Sequence, residues 1–493
     1  MTLNRIARWL ALAVVTGGGW LAFSAPAEAI PVFARQTGHN CQACHISYPE
    51  LTAYGREFKL NGYTFGEAQP IPLAGAIMAE VDHVRSTDAS TGAPTCAGTG
   101  LNGTGNCDVL RLNQYSIFFG GRFSDNFGMF GQMTGTEFPI GAGSGTGNSH
   151  VAPGGWAPAA DNTEFRYVHR IAADDSLEPA AVLGLNMNNN PAMEDVWNSV
   201  PAWRFPWFPY FPAGHGPVAA TYIDNPSGGH DKVGIGAYAW VQKSFYAEVN
   251  LYHSATGMLS FMNWGQGGTE ANMATPLGVN FVPDVLSGEN PYWRLAYSHD
   301  WGYNSVEVGL FGWFAKTYNC NPAAGATCVV PYSTATNNYH DTAIDAQYQF
   351  NKGDPWVFGA SGSYIHENND LTALYQSSGG TAVSQPGHSV NEFNVRGTVY
   401  YNRQWGATLG YSSLNGTSDM ALYGSGTDGG SLTGDPSSSW WTLELNYLPL
   451  QNLRFSLLFQ QFKKINGGTS DFDGFGNSAG GQDRITGAIW WAF

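Results

Sequence analysis

The sequence predicts an all-β fold, an antiparallel transmembrane β-barrel of about sixteen strands. Three observations carry that expectation. From about residue 73 to the end, segments roughly ten residues long alternate polar and apolar side chains, the period of a half-buried strand. The connections between those segments alternate between short and long. Aromatic residues make up 14% of the 493-residue chain and charged residues only 12%, whereas a soluble domain carries roughly 25% charge.

Ahead of the barrel, residues 1–29 place Arg5 and Arg8 before an apolar run and end in Ala27-Glu28-Ala29. That is the small-X-small pattern of a signal-peptidase site, so an exported chain cleaved after Ala29 is expected. No later stretch reaches the roughly 18 continuous apolar residues of a spanning helix. Removing the leader takes away two basic and one acidic residue, which leaves 20 against 37 and moves the net charge from −16 to −17. Such acidity argues against a nucleic-acid partner.

The barrel itself is expected over 73–493. Residues 112–123 put Tyr115, Ile117, Phe119 and Phe123 on one face and Gln114, Ser116, Gly120 and Arg122 on the other. After a Ser-Asp-Asn turn, Phe127, Met129 and Met133 oppose Gln132, Thr134 and Thr136, completing a hairpin. The same unit recurs at Val249 and Leu251 against Glu248 and Asn250, at Val306, Val308 and Leu310 against Ser305 and Glu307, and at Leu443 and Leu445 against Thr442 and Glu444. Segments centre near residues 78, 117, 132, 168, 184, 236, 250, 296, 311, 345, 361, 396, 410, 443, 458 and 489.

Short turns alternating with long loops are the layout of outer-membrane barrels, with periplasmic turns and termini and extracellular loops. Glu248, Arg396 and Glu444 share a face with Asn, Gln and Thr. That face must be the lumen, because a charge facing lipid at midplane costs about 2–4 kcal/mol. The chain ends in Ile489-Trp490-Trp491-Ala492-Phe493, and a terminal Phe on an amphipathic last strand resembles the signal read by outer-membrane assembly machinery.

The six cysteines fall in three close pairs. Cys96 with Cys107, and Cys320 with Cys328, lie in Gly-, Asn- and Thr-rich stretches of an exported chain, where short-loop disulfides are expected. Cys41-Gln42-Ala43-Cys44-His45 is different: it is the Cys-X-X-Cys-His pattern of c-type haem attachment. Two thiols on one helical turn can form thioethers to the vinyl groups, and the adjacent imidazole reaches the iron as an axial ligand. A redox dithiol or half of a zinc site are the competing readings. No second Cys or His cluster completes a zinc site.

Residues 30–72 are therefore expected to form a small α-helical segment carrying one haem c. About forty residues is the lower limit for an independent domain, so the segment should borrow walls, inside the barrel or at its periplasmic mouth. The sixth iron ligand is not given by a motif. Met78 shares the lumenal face of the first strand with Glu80 and Asp82 and is the first candidate. Met129, Met133 and Met187 fall on the lipid face, and His39 and His83 stay open.

Ala29-Ile30-Pro31-Val32-Phe33-Ala34-Arg35-Gln36-Thr37-Gly38 before the haem motif, and Tyr54-Gly55-Arg56-Glu57-Phe58-Lys59-Leu60-Asn61-Gly62-Tyr63 after it, resemble the fused monohaem cytochrome c-porins, outer-membrane iron oxidases of iron-oxidising bacteria. The likeness covers about thirty-five residues, and the barrel agrees with it in architecture only. It implies an oxidoreductase in which extracellular Fe(II) gives an electron to the haem, which passes it to a periplasmic cytochrome c or copper protein. It also implies a site at Cys41, Cys44 and His45, with Arg35 and Arg56 as partners for the haem propionates and Phe33, Tyr54 and Phe58 covering the porphyrin. Packing of the small segment is the alternative role for these five residues.

An iron site would use carboxylates or imidazole, and Glu194, Asp195, Glu367, His366 and Asp370 are available in loops expected outside. The stretch from about 189 to 229 interleaves Trp197, Trp203, Phe205, Trp207, Phe208, Tyr210 and Phe211 with Pro. It either folds inward as a constriction or lies at the lipid headgroups. The rival functions are an electron conduit for another donor and a diffusion porin with a haem-bearing plug. Oligomeric state is not legible in the sequence.

Overall fold

The computed structural model describes residues 32–47, 50–84, 107–139, 159–172, 179–200, 216–224, 232–255, 257–263, 285–318, 335–353, 355–424 and 429–493. The leader, Cys96, Cys320, Cys328 and the aromatics from Trp203 to Phe211 lie outside this set, as does the side chain of Cys107. The two expected disulfides therefore fall outside it as well.

Sixteen strands form the barrel: β1 Leu73–Val84, β2 Cys107–Arg122, β3 Phe127–Pro139, β4 Ala159–Ala172, β5 Pro179–Asn188, β6 Lys232–Val241, β7 Phe245–Ser254 and β8 Asn290–Trp301. They continue as β9 Asn304–Tyr318, β10 Thr336–Asn351, β11 Trp356–Asp370, β12 Gly387–Tyr401, β13 Trp405–Gly416, β14 Ser438–Leu450, β15 Leu453–Lys464 and β16 Arg484–Ala492. Each pairs antiparallel with its sequence neighbours, β7 pairs with β8, and β16 pairs with β1, which closes the ring. A two-residue piece, Val285–Leu286, adds to the end of β9. Each of the sixteen expected centres falls inside a strand.

The alternation is the one the sequence implies. Ile77, Val81, Ile117, Val249, Val308 and Leu409 are exposed on the outer face, while Met78, Glu80, Asp82, Ser116, Glu248 and Glu307 turn inward and are buried. Trp356, Trp405, Tyr401 and Trp491 crowd the outer face at the short-turn end, where an aromatic girdle meets the interface. Asn402 and Arg403, both at positive φ, make one of these tight hairpin turns. Closing the sheet pairs every edge that hydrocarbon could not satisfy.

The lumen is filled from both directions. Residues 32–72 enter from the short-turn end. They carry α1 Val32–Thr37, α2 Cys41–Cys44, a small hairpin of His45–Ser47 with Glu50–Leu51, and α3 Ala53–Leu60. Asn40 caps α2 by accepting from Ala43 N at 3.1 Å, and Thr52 caps α3 by accepting from Gly55 N at 3.1 Å. From the other side, residues 189–200 turn inward around α4 Pro191–Glu194, capped by Asn190, and residues 216–224 cross as a second inward stretch. Of the two readings of the 189–229 stretch, its described parts take the inward one.

Candidate functional site

The N-terminal plug is tied to the short turns. Cys41 N donates to Gln451 Oε1 at 3.2 Å in the β14–β15 turn, and Gln42 exchanges hydrogen bonds with the backbone and guanidinium of Arg403 at 3.1 and 3.0 Å. Arg122, beside the β2–β3 turn, donates to Gly66 O at 2.7 Å, and Lys243 of the β6–β7 turn pairs with Glu57 at 2.9 Å. Ile46, directly after the motif histidine, packs with Val357, Tyr400 and Leu448 of β11, β12 and β14. The Cys-X-X-Cys-His turn therefore sits against the short-turn rim between β11 and β15.

Cys41 and Cys44 are half-buried and not joined to each other. His45 leaves the turn with extended backbone, its N–H on Cys41 O. Gly55 lies against this turn so closely that a Cβ there would stand 2.3 Å from Cys44 O, which fixes how α3 crosses α2. Burial, with Cys41 beside it, pushes a free Cys44 thiol up to about 12. A redox dithiol has the opposite property, a lowered thiol pKa. The donor set, two thiols on one turn followed by an imidazole, suits a c-type haem, with Cys41 and Cys44 for the thioethers and His45 for one axial nitrogen.

Phe33, Tyr54 and Phe58 do come together. Phe33 stacks on Tyr63 at 5.1 Å and meets Phe58 edge-on at 5.1 Å, while Tyr54 reaches Phe65 at 6.2 Å and His39 at 5.1 Å. Tyr63 and Phe65 belong to the same network and escape sequence reasoning, as does Phe130, which turns inward from β3 to touch Phe33 at 6.0 Å. Arg35 donates to the carbonyls of Ile71 and Leu73, holding α1 to the start of β1. Arg56 is buried and donates to Leu51 O at 2.9 Å, Gln349 Oε1 at 2.9 Å, Gln347 Oε1 at 3.2 Å and Ser305 Oγ at 2.5 Å. Its guanidinium fastens α3 to β9 and β10.

Met78 is buried on the lumenal face of β1, between Gln114 of β2 and Trp490 of β16. His83 lies near the long-loop end of β1, away from the plug. Met133 and Met187 stand on the outer face, the latter packed under the segment Gly257–Asn263, and Met129 is buried.

The carboxylates expected in external loops need correction. Glu194 and Asp195 are inside the barrel. Glu194 pairs with Arg166 at 2.8 Å and accepts from Asn186 and Asn188, and Asp195 lies 3.7 Å from Arg294. Arg294 also pairs with Asp345 at 2.6 Å and Glu307 at 3.0 Å, and its guanidinium lies over Trp197 at 4.8 Å. Both arginine side chains are 0% exposed. Glu367 is lumenal and accepts from Tyr222 N at 2.5 Å, whereas His366 bonds Asn391 and Asp370 accepts from Thr372. His366, Glu367 and Asp370 belong to the end of β11, which runs further than expected and turns Glu367 inward, whereas Glu194 and Asp195 lie on an inward stretch with no period that tells in from out. Among the described residues no three His, Cys, Asp or Glu side chains are grouped to hold a metal ion.

No family model and no curated protein matches the sequence. Solved structures similar to this chain include Salmonella typhi OmpF in complex with daunomycin, at 10% identity over 85% of this chain and 97% of that one, with a TM-score of 0.46. The anion-selective porin from Comamonas acidovorans is 12% identical over 86% and 99%, with a TM-score of 0.42. A loop L8 deletion mutant of OmpT, an outer membrane protein of Vibrio cholerae, is 9% identical over 86% and 99%, with a TM-score of 0.41. By its own geometry the chain is a porin-like barrel of the outer-membrane type, closed by sixteen antiparallel strands and apolar outside.

Proposed function

We propose that this protein is an outer-membrane oxidoreductase that takes electrons from extracellular Fe(II) and delivers them, through one haem c on Cys41, Cys44 and His45, to a periplasmic cytochrome or copper protein. The observation that carries the reading is the position of the Cys-X-X-Cys-His turn at the short-turn rim, the end read here as periplasmic, anchored by Arg403 and Gln451. When bound there, the haem supplies a one-electron redox centre. The chain's own residues hold it at the rim and fill the lumen above it. Where residues 189–200 turn inward, Arg166 and Arg294 are buried and paired with carboxylates.

The test is anaerobic mixing of the oxidised, haem-loaded protein with Fe(II), followed by the reduced-haem absorbance. Fast reduction, absent in a Cys41→Ser, Cys44→Ser protein, supports the assignment. Protein that dithionite reduces but Fe(II) does not is a conduit for a different donor.

A further inference from the structure

We propose that a buried column of aromatic side chains along the β6–β10 side of the lumen is the route by which the electron crosses the barrel; this rests on the haem reading of the plug. Electron transfer weakens steeply with distance, and the apolar band of such a barrel is about 25 Å tall. A donor held outside and a haem at the periplasmic rim therefore require intermediate stations.

The stations succeed one another along the lumen, by ring contact in most steps and along the backbone of α3 from Leu60 to Phe58. At the long-loop end, half-buried Tyr339 stacks on Tyr222 at 4.4 Å, and Tyr222 meets Trp313 at 5.0 Å. Phe311 follows on the same face of β9, and the Arg294 guanidinium bridges its ring at 5.2 Å to that of Trp197 at 4.8 Å. Trp197 meets Tyr246 at 5.2 Å, and Tyr246 meets Tyr238 at 5.9 Å. The Tyr238 hydroxyl donates to Leu60 O, the last residue of α3, at 2.6 Å. From there Phe58, Phe65 and Tyr54 lead to Gly55, against Cys44. Trp197, Trp313 and Phe311 are among the largest fully buried side chains.

Packing alone does not require the second feature. Two phenols, Tyr246 in the column and Tyr63 beside it, donate to buried carboxylates, Tyr246 to Glu248 Oε2 at 2.9 Å and Tyr63 to Glu164. A phenol gives up an electron readily only when its proton has somewhere to go. Tyr246 passes its electron toward the plug and its proton to Glu248. The electron arriving from Fe(II) and the proton returning from Glu248 restore the phenol, so one electron moves and no proton is consumed.

The test places a ruthenium photoreductant on Gln376→Cys, exposed on the helix Thr372–Ser378, which donates to Asn337 near Tyr339. Flash reduction of the haem is expected to slow roughly tenfold or more in Trp197→Leu and Trp313→Leu, about 1.4 kcal/mol on the slowest step, with dithionite reduction unchanged. Tyr246→Phe, which keeps the ring and the fold, is expected to lose the solvent deuterium isotope effect. Used as a photo-oxidant, the same label should give, haem or no haem, a tyrosyl radical signal by electron paramagnetic resonance with a component that Tyr246→Phe removes. Unchanged rates in all three variants, or an unchanged radical signal, overturn the route. A wild-type chain without covalent haem removes the haem reading and the route with it. Label-driven reduction that depends on the column, in protein that Fe(II) fails to reduce, keeps the route and removes only the donor.

Discussion

Asp341 and Glu367 face each other directly across β10 and β11, and each accepts a backbone N–H from consecutive residues of the inner strap. Tyr222 N donates to Glu367 Oε2 at 2.5 Å and Ile223 N to Asp341 Oδ2 at 2.9 Å, while Thr221 Oγ1 reaches Glu392 on β12 at 3.1 Å. Three wall carboxylates thus hold three successive residues of the strap. Glu367→Ala leaves the buried Tyr222 N–H without its acceptor, at a cost of about 1–3 kcal/mol. Faster amide exchange at Tyr222 and Ile223, and a larger single-channel conductance, are the expected outcomes. An unchanged exchange rate would mean the strap is held elsewhere.

Gly55→Ala drives a Cβ onto the Cys44 carbonyl, and backbone cannot yield as a flexible side chain would. Overpacking of this kind costs about 1–3 kcal/mol. The expected result is a barrel of normal heat stability with less covalent haem per chain and a plug that proteases cut sooner.

Arg56→Met keeps the bulk of the side chain and removes every donor to β9 and β10. Hydrogen bonds to charged groups contribute about 1.5–3 kcal/mol each, so the plug should loosen, seen as protease sensitivity within 50–72. Arg35→Ala removes the bonds to the Ile71 and Leu73 carbonyls, made by an exposed guanidinium, and should have the smaller effect. A haem potential that shifts in either variant would add a propionate contact to these roles.

Asp419 caps the helix Met420–Tyr423 through Ala421 N and Leu422 N and binds His388 Nε2 at 2.9 Å. Burial alone would raise its pKa, but hydrogen bonds from Ser384, His388 and Leu422 outweigh it and hold the carboxyl well below the ordinary range. A depressed folded-state pKa stabilises above the unfolded value, about 3.9, and that stability is lost as pH falls further. Asp419→Asn should therefore weaken this loop at neutral pH, by about 1 kcal/mol for the cap, and differ progressively less from wild type below pH ~4. Amide exchange across 384–424 at several pH values measures both.

Every strand was legible because a period of two leaves a one-residue slip nowhere to hide: Ile77 and Val81 must face lipid if Glu80 and Asp82 do not. Cys41 to His45 stands out in the sequence by its spacing alone, and the structure adds that the five residues form one turn against the short-turn rim. What fills the lumen was not legible. Arg166 and Arg294 read as ordinary polar-face residues, since the partners Glu194 and Asp195 lie on a loop without periodicity. Phe130, an aromatic on the inner face, breaks the alternation for a reason, Phe33, that is 97 positions away.

Gly75 and Phe493 exchange both backbone hydrogen bonds, at 2.7 and 2.8 Å. The seam of the wall thus joins β1 to the end of β16, and the plug precedes β1 in the chain. On the haem reading proposed above, Cys41 and Cys44 would take up their group before β1 and β16 meet, while the cylinder that encloses them is still an open curtain. A group attached to those thiols would then be walled in when the seam closes, as a stone is by its fruit, and would need no doorway wide enough to admit it afterwards.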